Sequence, residues 1–99
     1  MREMSNEERE ALGHEIARAN YEAAFEAVDA GECADLEKAL ERFAVNCLDT
    51  AYEQYGYDSI EHKAAGEKFA EMEREMVIPE WFRRYYPEVK HPMEKGGER

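Results

Sequence analysis

Apolar residues recur at intervals of three and four positions between residues 36 and 55. At about 100° per residue, this spacing places them on one side of a helix, in a stripe roughly 120° wide. We therefore predict a helix from about Asp35 to Tyr55 that ends at Gly56, because glycine readily adopts the left-handed conformation of a helix C-terminus. We expect the stripe to be buried, and its members are Leu36, Leu40, Phe43, Ala44, Cys47, Leu48, Ala51, Tyr52 and Tyr55.

A broader apolar arc predicts a first helix from about Glu7 to Ala30. Ser5 and Glu8 have the spacing of a capping box, and Gly31 provides the C-terminal stop. Two apolar seams together cover about 200° of this helix, against roughly 100° for an ordinary surface helix. Two interpretations stay open: the helix lies between the other two, or its alanine seam meets another chain, since small side chains let helices approach closely. The predicted oligomer interface consists of Ala19, Ala23, Ala27 and Ala30.

A third helix should begin at Asp58 or Ser59 and end near Val77, because Pro79 disfavours the helical conformation at the residue before it. Glu61 stands three positions after Asp58, which is the spacing of a second capping box. Pro79 itself suits the first position of a short aromatic segment that Pro87 closes.

These elements predict an all-α fold, a three-helix bundle with a short aromatic C-terminal helix. No alternating strand pattern interrupts them, and the length of 99 residues suits one core. We expect a single domain over residues 1–87 and a flexible, polar tail over residues 88–99.

Charge limits the classes of partner. The chain carries 24 acidic and 13 basic residues, a formal net charge of −11. This charge repels phosphate backbones and anionic lipid, so we expect no direct nucleic-acid or membrane contact, and it favours a protein partner with a basic surface. The acidic candidates for this contact lie on the first helix and are Glu15, Glu22, Glu26 and Asp29.

An aromatic segment near the C-terminus supplies a second candidate surface. Four of its six residues are aromatic and two are arginine, the types enriched in interface hot spots. It either packs back as a lid over the bundle or docks a partner, and both interpretations stay open. Its members are Trp81, Phe82, Arg83, Arg84, Tyr85 and Tyr86.

No catalytic motif accompanies these surfaces. The sequence contains no Gly-rich phosphate loop and no nucleophile elbow, and His14-Glu15 lacks the second histidine of a zinc-protease motif. We therefore predict no enzyme activity, no cofactor and no metal ligand set. The two cysteines form no CxxC pair, and no apolar leader or membrane-length run occurs, so we expect a cytoplasmic protein.

The preferred hypothesis is a small, acidic, non-catalytic module that binds a protein and could inhibit it by covering a basic, nucleic-acid-handling surface. Small phage or plasmid proteins that inhibit restriction or CRISPR machinery act in this way, and the comparison is one of size and charge only. One alternative is a homo-oligomeric assembly module that associates through the first helix. Another is a metal-binding bundle that uses His14, His62 and nearby glutamates.

Overall fold

The computed structural model describes residues 3–96, with side chains described through residue 94. It is 74% helical, and the described residues contain no strand. The predicted three-helix bundle is confirmed, because the three long helices pack against one another in every pairing. No helix within residues 3–96 combines the length and apolarity needed to cross a membrane. The elements are α1 (Asn6–Asp29), α2 (Leu36–Tyr55), α3 (Ile60–Arg74), α4 (Glu80–Tyr85) and α5 (Pro92–Gly96).

Both ends of α1 have the predicted caps. The Ser5 hydroxyl accepts the N–H of Glu8, and the Glu8 carboxylate accepts the N–H of Ser5 at 3.0 Å. At the other end Gly31 has φ 77°, and the N–H of Glu32 donates to the carbonyl of Ala27 at 2.8 Å. This is a Schellman arrangement, which glycine favours because it has no Cβ. The bounds of α1 therefore agree with the prediction to within one residue.

The start of α3 differs in part from the prediction. Ser59 is the N-cap, and its hydroxyl accepts the N–H of His62 at 3.1 Å. Glu61 does not complete a capping box with Asp58, because its carboxylate binds the guanidinium of Arg9 on α1 instead. A long-range ion pair thus replaces the local hydrogen bond that the spacing suggested.

The end of α3 also comes earlier than expected. The helix stops at Arg74, and Met76 adopts a left-handed conformation with φ 55°. The N–H of Val77 donates to the carbonyl of Met72 at 3.1 Å, which closes a second Schellman turn. Pro79 therefore does not end α3 directly; the turn around Met76 ends it.

The core lies where α1 faces its two neighbours. Ala17 is completely buried, and its small side chain allows a close approach of helices. Aromatic rings fill the remaining space: centroids of Tyr21 and Phe69 are 5.3 Å apart, and those of Phe25 and Phe82 are 4.9 Å apart, both edge to face. Because α1 packs against both α2 and α3, part of its broad apolar arc is used within the bundle.

The segment after α4 packs on the bundle. Val89 lies against the core and His91 is completely buried, with its Nε2 3.1 Å from the hydroxyl of Tyr21. One buried histidine thus joins this segment to the core and leaves no periodic signal in the sequence, while the flexibility of the tail stays a prediction. Residues 97–99 of that tail lie outside the described residues, and the domain boundary at residue 87 stays a prediction.

Candidate functional site

Helix α4 packs onto the C-terminal half of α1. The Trp81 indole Nε1–H donates to the Glu22 carboxylate at 2.8 Å, and the Tyr86 hydroxyl donates to the Asp29 carboxylate at 2.7 Å. The hydrogen bond to Asp29 raises the pKa of Tyr86 above its usual value. Between them Phe82 is completely buried, so it is a core residue and not the surface contact that the sequence suggested.

Members of the two sets of predicted contact residues therefore meet on one face of the molecule, which we call the α1–α4 face. The inner side of α4 covers the core, which is the arrangement expected if the aromatic segment packs back as a lid. On its outer side, Arg83, Arg84 and Tyr85 are exposed. Arg84 forms an ion pair with Glu80 at 3.1 Å, and such exposed pairs contribute little to stability.

The acidic row of α1 lies on the side of the helix opposite to the core. Glu15 and Glu26 are exposed, Glu22 is half-buried beneath Trp81, and Asp29 is exposed although it accepts the bond from Tyr86. Among the residues that the structure describes, Glu15 and Glu26 have no basic group within ion-pair distance. None of these residues neutralises their charge, so solvent and salt screen it.

The alanine seam of α1 lies partly against α2 of the same chain. Ala27 is buried, Ala23 is half-buried, and Ala19 and Ala30 are exposed. Together with Phe43 of α2, three of these alanines line a shallow cavity of about 250 Å³. One part of the seam therefore packs within the bundle, and the other part faces solvent.

A surface that the sequence did not predict lies on α2. Leu48 and Tyr52 belong to the stripe that we expected to be buried, yet both are exposed, as is Val45 beside them. The bundle covers only the part of the stripe around Leu36, Leu40, Cys47 and Ala51, which are all buried. We call Val45, Leu48, Tyr52 and the highly exposed Tyr57 of the following loop the α2 patch.

Three rings stabilise one end of the α2 patch. The ring centroids of Tyr52 and Tyr57 are 6.5 Å apart, and the imidazole of His62 lies 5.7 Å from Tyr57 and 6.5 Å from Tyr52. The Nδ1 of His62 also accepts the N–H of Asp58 at 3.4 Å, which positions the loop that carries Tyr57. His62 thus packs within an aromatic cluster.

A shallow groove of about 320 Å³ runs beside the α2 patch. Its walls come from Leu48, Tyr57 and His62, and its rim includes the charged side chains of Asp58, Lys63 and Glu67. Gly66 of α3 lies on its lining, where a Cβ would come within 3.1 Å of a Leu48 methyl group. The only sequence signal for this site is that Val45, Leu48 and Tyr52 recur at three and seven positions on the margin of the main stripe.

The chemistry of the described side chains gives no sign of a metal centre. Within residues 3–96, no three His, Cys, Asp or Glu side chains lie close enough together to hold a metal ion. Cys47 is completely buried, its thiol donates to the carbonyl of Ala65 at 3.7 Å, and burial raises its pKa to about 11. Such a thiol is a poor nucleophile at neutral pH.

No protein family, curated protein or solved structure matches this chain. Its function is therefore inferred from its own surfaces.

Proposed function

We propose that the protein is a small, non-catalytic module that binds a protein partner through its acidic helical exterior and covers a basic surface on it. Where that basic surface binds nucleic acid, the module would act as an inhibitor. The observation that carries the proposal is the acidic row of α1, in which Glu15 and Glu26 are exposed and lack an ion-pair partner among the described residues.

The surrounding charge supports this proposal. Helix α1 holds seven acidic residues and two arginines, and one of these, Arg9, is paired with Glu61 of α3. The field of such a row attracts a basic protein surface and raises the rate of association. The outer side of α4 adds Tyr85 and two arginines, and these types suit the centre of an interface.

The experiment is affinity purification with the full chain as bait, from the cells that produce it, at low and high ionic strength. We expect basic proteins to be retained at low ionic strength and released at high ionic strength, since exposed charges are screened by salt. The test variant is Glu15→Lys/Glu26→Lys. It leaves Glu22 unchanged, because that carboxylate also accepts the bond from Trp81.

The matched control is Glu53→Lys/Glu75→Lys, which makes the same change in net charge at two exposed acids outside the α1 row. Loss of the partner with the α1 variant and its retention with the control would support the proposal. Equal behaviour of the two variants would contradict it. Recovery of additional copies of this chain alone would favour the homo-oligomeric alternative.

A further inference from the structure

We infer that the α2 patch and the groove beside it form a docking site for a partner helix that carries apolar residues flanked by lysine or arginine. This inference goes beyond the proposed function, because it adds a contact for a basic partner on a surface other than the α1 row. This site is indicated by a group of apolar side chains that remain exposed in the folded bundle.

The patch has the dimensions of a helix-binding surface. Val45 and Tyr52 stand seven positions apart on one helix with Leu48 between them, a length of about 10 Å along the axis at roughly 1.5 Å per residue. Residues at such spacing form one ridge, against which a second helix can pack with its own residues at positions i, i+3 and i+7. Tyr57 extends the ridge beyond the end of α2, and its ring contacts with Tyr52 and His62 limit its freedom. Less entropy is therefore lost when it is buried.

The groove supplies a place for one long side chain. Gly66 has no side chain, so the space beside Leu48 and Tyr57 stays open on α3. A lysine or arginine could lay its aliphatic stem on these two residues, as long cationic side chains commonly do. Its charged group would then reach the rim, where the Asp58 and Glu67 carboxylates lie.

The charges around the patch select the partner. Glu41 and Asp49 stand one turn before and one turn after Val45 on α2, and both are exposed. Neither has a basic group within ion-pair distance among the side chains described, those of residues 3–94, and the same holds for Glu67. The one cation on the rim, Lys63, lies 3.7 Å from Asp58 and is partly neutralised by it. An apolar centre with acidic flanks is complementary to an apolar segment with basic flanks.

A second copy of this chain fits less well. In a two-fold dimer the same patch would face itself, so that Glu41, Asp49 and Glu67 of one copy would approach the same acids of the other. Like charges in such positions oppose association, and the net charge of −11 adds to the repulsion. The occupant that suits both the apolar ridge and its acidic flanks is a basic amphipathic helix of another protein.

The test uses a synthetic peptide of about 18 residues, or roughly five helical turns, with leucine on one face and lysine elsewhere. One control peptide has the same composition in a shuffled order without helical periodicity, and another replaces lysine by glutamate. Binding to the full-length protein is measured by fluorescence anisotropy and located by backbone amide NMR shifts. We expect the leucine–lysine helix to bind more tightly than either control and to shift the amides of Leu48, Tyr57 and Gly66.

Matched variants make the test specific. Leu48→Ser/Tyr57→Ser changes residues that are 40% and 78% exposed, and its control, Met76→Ser/Met93→Ser, changes residues that are 40% and 49% exposed elsewhere. We expect the first pair to weaken peptide binding at least about tenfold, the effect of losing interface hot spots, and the second pair to leave it unchanged. Equal weakening by both pairs, or equal binding of the shuffled peptide, would overturn the inference.

A second variant tests the charge argument at one position. Val45→Lys should weaken binding of the leucine–lysine helix and Val45→Glu should strengthen it, because Val45 belongs to the patch and lies between the acids Glu41 and Asp49. An identical effect of both substitutions would overturn the basic character assigned to the occupant. Self-association in sedimentation that the Leu48/Tyr57 pair abolishes would make a second copy the occupant, and would also overturn it.

The outcomes separate this inference from the proposed function. If Glu15→Lys/Glu26→Lys weakens peptide binding and the Leu48/Tyr57 pair does not, the α1 row binds the basic partner and the docking site on α2 is wrong. If the Leu48/Tyr57 pair weakens peptide binding and the α1 variant does not, the docking site is supported, and the α1 row is judged separately by its own affinity purification.

Discussion

The indole nitrogen of Trp81 and the carboxylate of Glu22 lie 2.8 Å apart, and this hydrogen bond joins α4 to α1 across 59 positions of the chain. It brings together two groups of residues that are far apart in sequence, the acids of α1 and the aromatic segment. It also divides that segment into an inner side, which serves the core, and an outer side, which faces solvent.

The two sides of α4 should respond differently to mutation. Trp81→Ala removes a half-buried ring that packs against the core, and we expect the free energy of unfolding to fall by about 2 kcal/mol, somewhat less than the roughly 3–5 kcal/mol of a fully buried aromatic residue. Tyr85→Ala should change it by less than about 0.5 kcal/mol, because Tyr85 is exposed. Urea denaturation followed by circular dichroism measures both. Equal destabilisation would mean that the outer side of α4 also belongs to the core.

His91 should make stability depend on pH. The N–H of Met93 donates to its Nδ1 at 3.1 Å, so the buried ring is neutral and carries its proton on Nε2, facing Tyr21. Burial lowers the pKa of His91 below its usual 6.5, although the Glu94 carboxylate acts in the opposite direction. The unfolded chain therefore binds a proton more readily, and the stability that His91 contributes is fully present above about pH 6.5 and is lost as pH falls below it.

The measurement compares urea unfolding of the natural chain and of His91→Gln between about pH 7.5 and pH 5.5, a range around the usual histidine pKa. The difference between the two chains should shrink as pH falls, by at most about 1.4 kcal/mol for each unit. Taking the difference removes the effects of the other groups nearby, such as Glu73, whose pKa burial raises. A difference that stays constant with pH would show that His91 does not titrate on unfolding.

Removal of Arg9 and removal of Glu61 should destabilise the protein to different extents, although the two residues form one ion pair. Two nearly parallel bonds join them, at 2.8 Å and 2.9 Å, and the bond from Arg9 lowers the pKa of the Glu61 carboxyl. The Glu61 side chain is 4% exposed and that of Arg9 is 37% exposed. Arg9→Met therefore leaves a buried carboxylate without its partner, whereas Glu61→Met leaves a guanidinium that can reach water, at a cost of about 1 kcal/mol.

A double-mutant cycle with thermal or urea unfolding tests this asymmetry. We expect Arg9→Met to be the more destabilising single change, and the double variant Arg9→Met/Glu61→Met to recover part of the loss. If the two losses simply add, the residues do not interact in solution.

Two glycines on neighbouring helices should respond in opposite ways to alanine. At Gly13 an added Cβ would lie 2.8 Å from the Cβ of Ala64 and would overlap the backbone of Glu61, so Gly13→Ala should destabilise the bundle by about 1–3 kcal/mol. At Gly66 the nearest atom is a methyl group of the exposed Leu48 side chain, which can move. Gly66→Ala should therefore be neutral or gain up to about 1 kcal/mol from helix propensity. Midpoints of urea unfolding for the two variants measure this, and similar values would contradict the close approach of α1 and α3 at Gly13.

Local chemistry made much of the fold predictable. The capping box at Ser5 and the glycine stop at Gly31 depend on residues only a few positions apart. The ends of α1 could therefore be predicted from the sequence. The same holds for the stop of α2 at Gly56, whose φ of 97° suits glycine. Where local signals competed with tertiary ones, the tertiary contact prevailed: Glu61 pairs with Arg9 on another helix and does not cap its own.

The candidate surfaces were harder to predict, because burial depends on how much of each apolar stripe the neighbouring helices cover. Periodicity placed Leu40, Leu48 and Tyr52 on one side of α2, yet only Leu40 of these three is buried. In the same way, composition marked the aromatic segment as unusual but could not decide which rings face inward.

The amino-acid sequence by itself determined the helical class, the helix bounds near their caps and the acidic exterior, since each depends on residue type or on neighbours within about one turn. Only the tertiary structure decided that Phe82 and His91 are core residues and that the α2 patch is exposed. The physical reason is that exposure is a property of the packed bundle. It is set by contacts between residues far apart in the sequence, such as Tyr21 and His91, which are 70 positions apart.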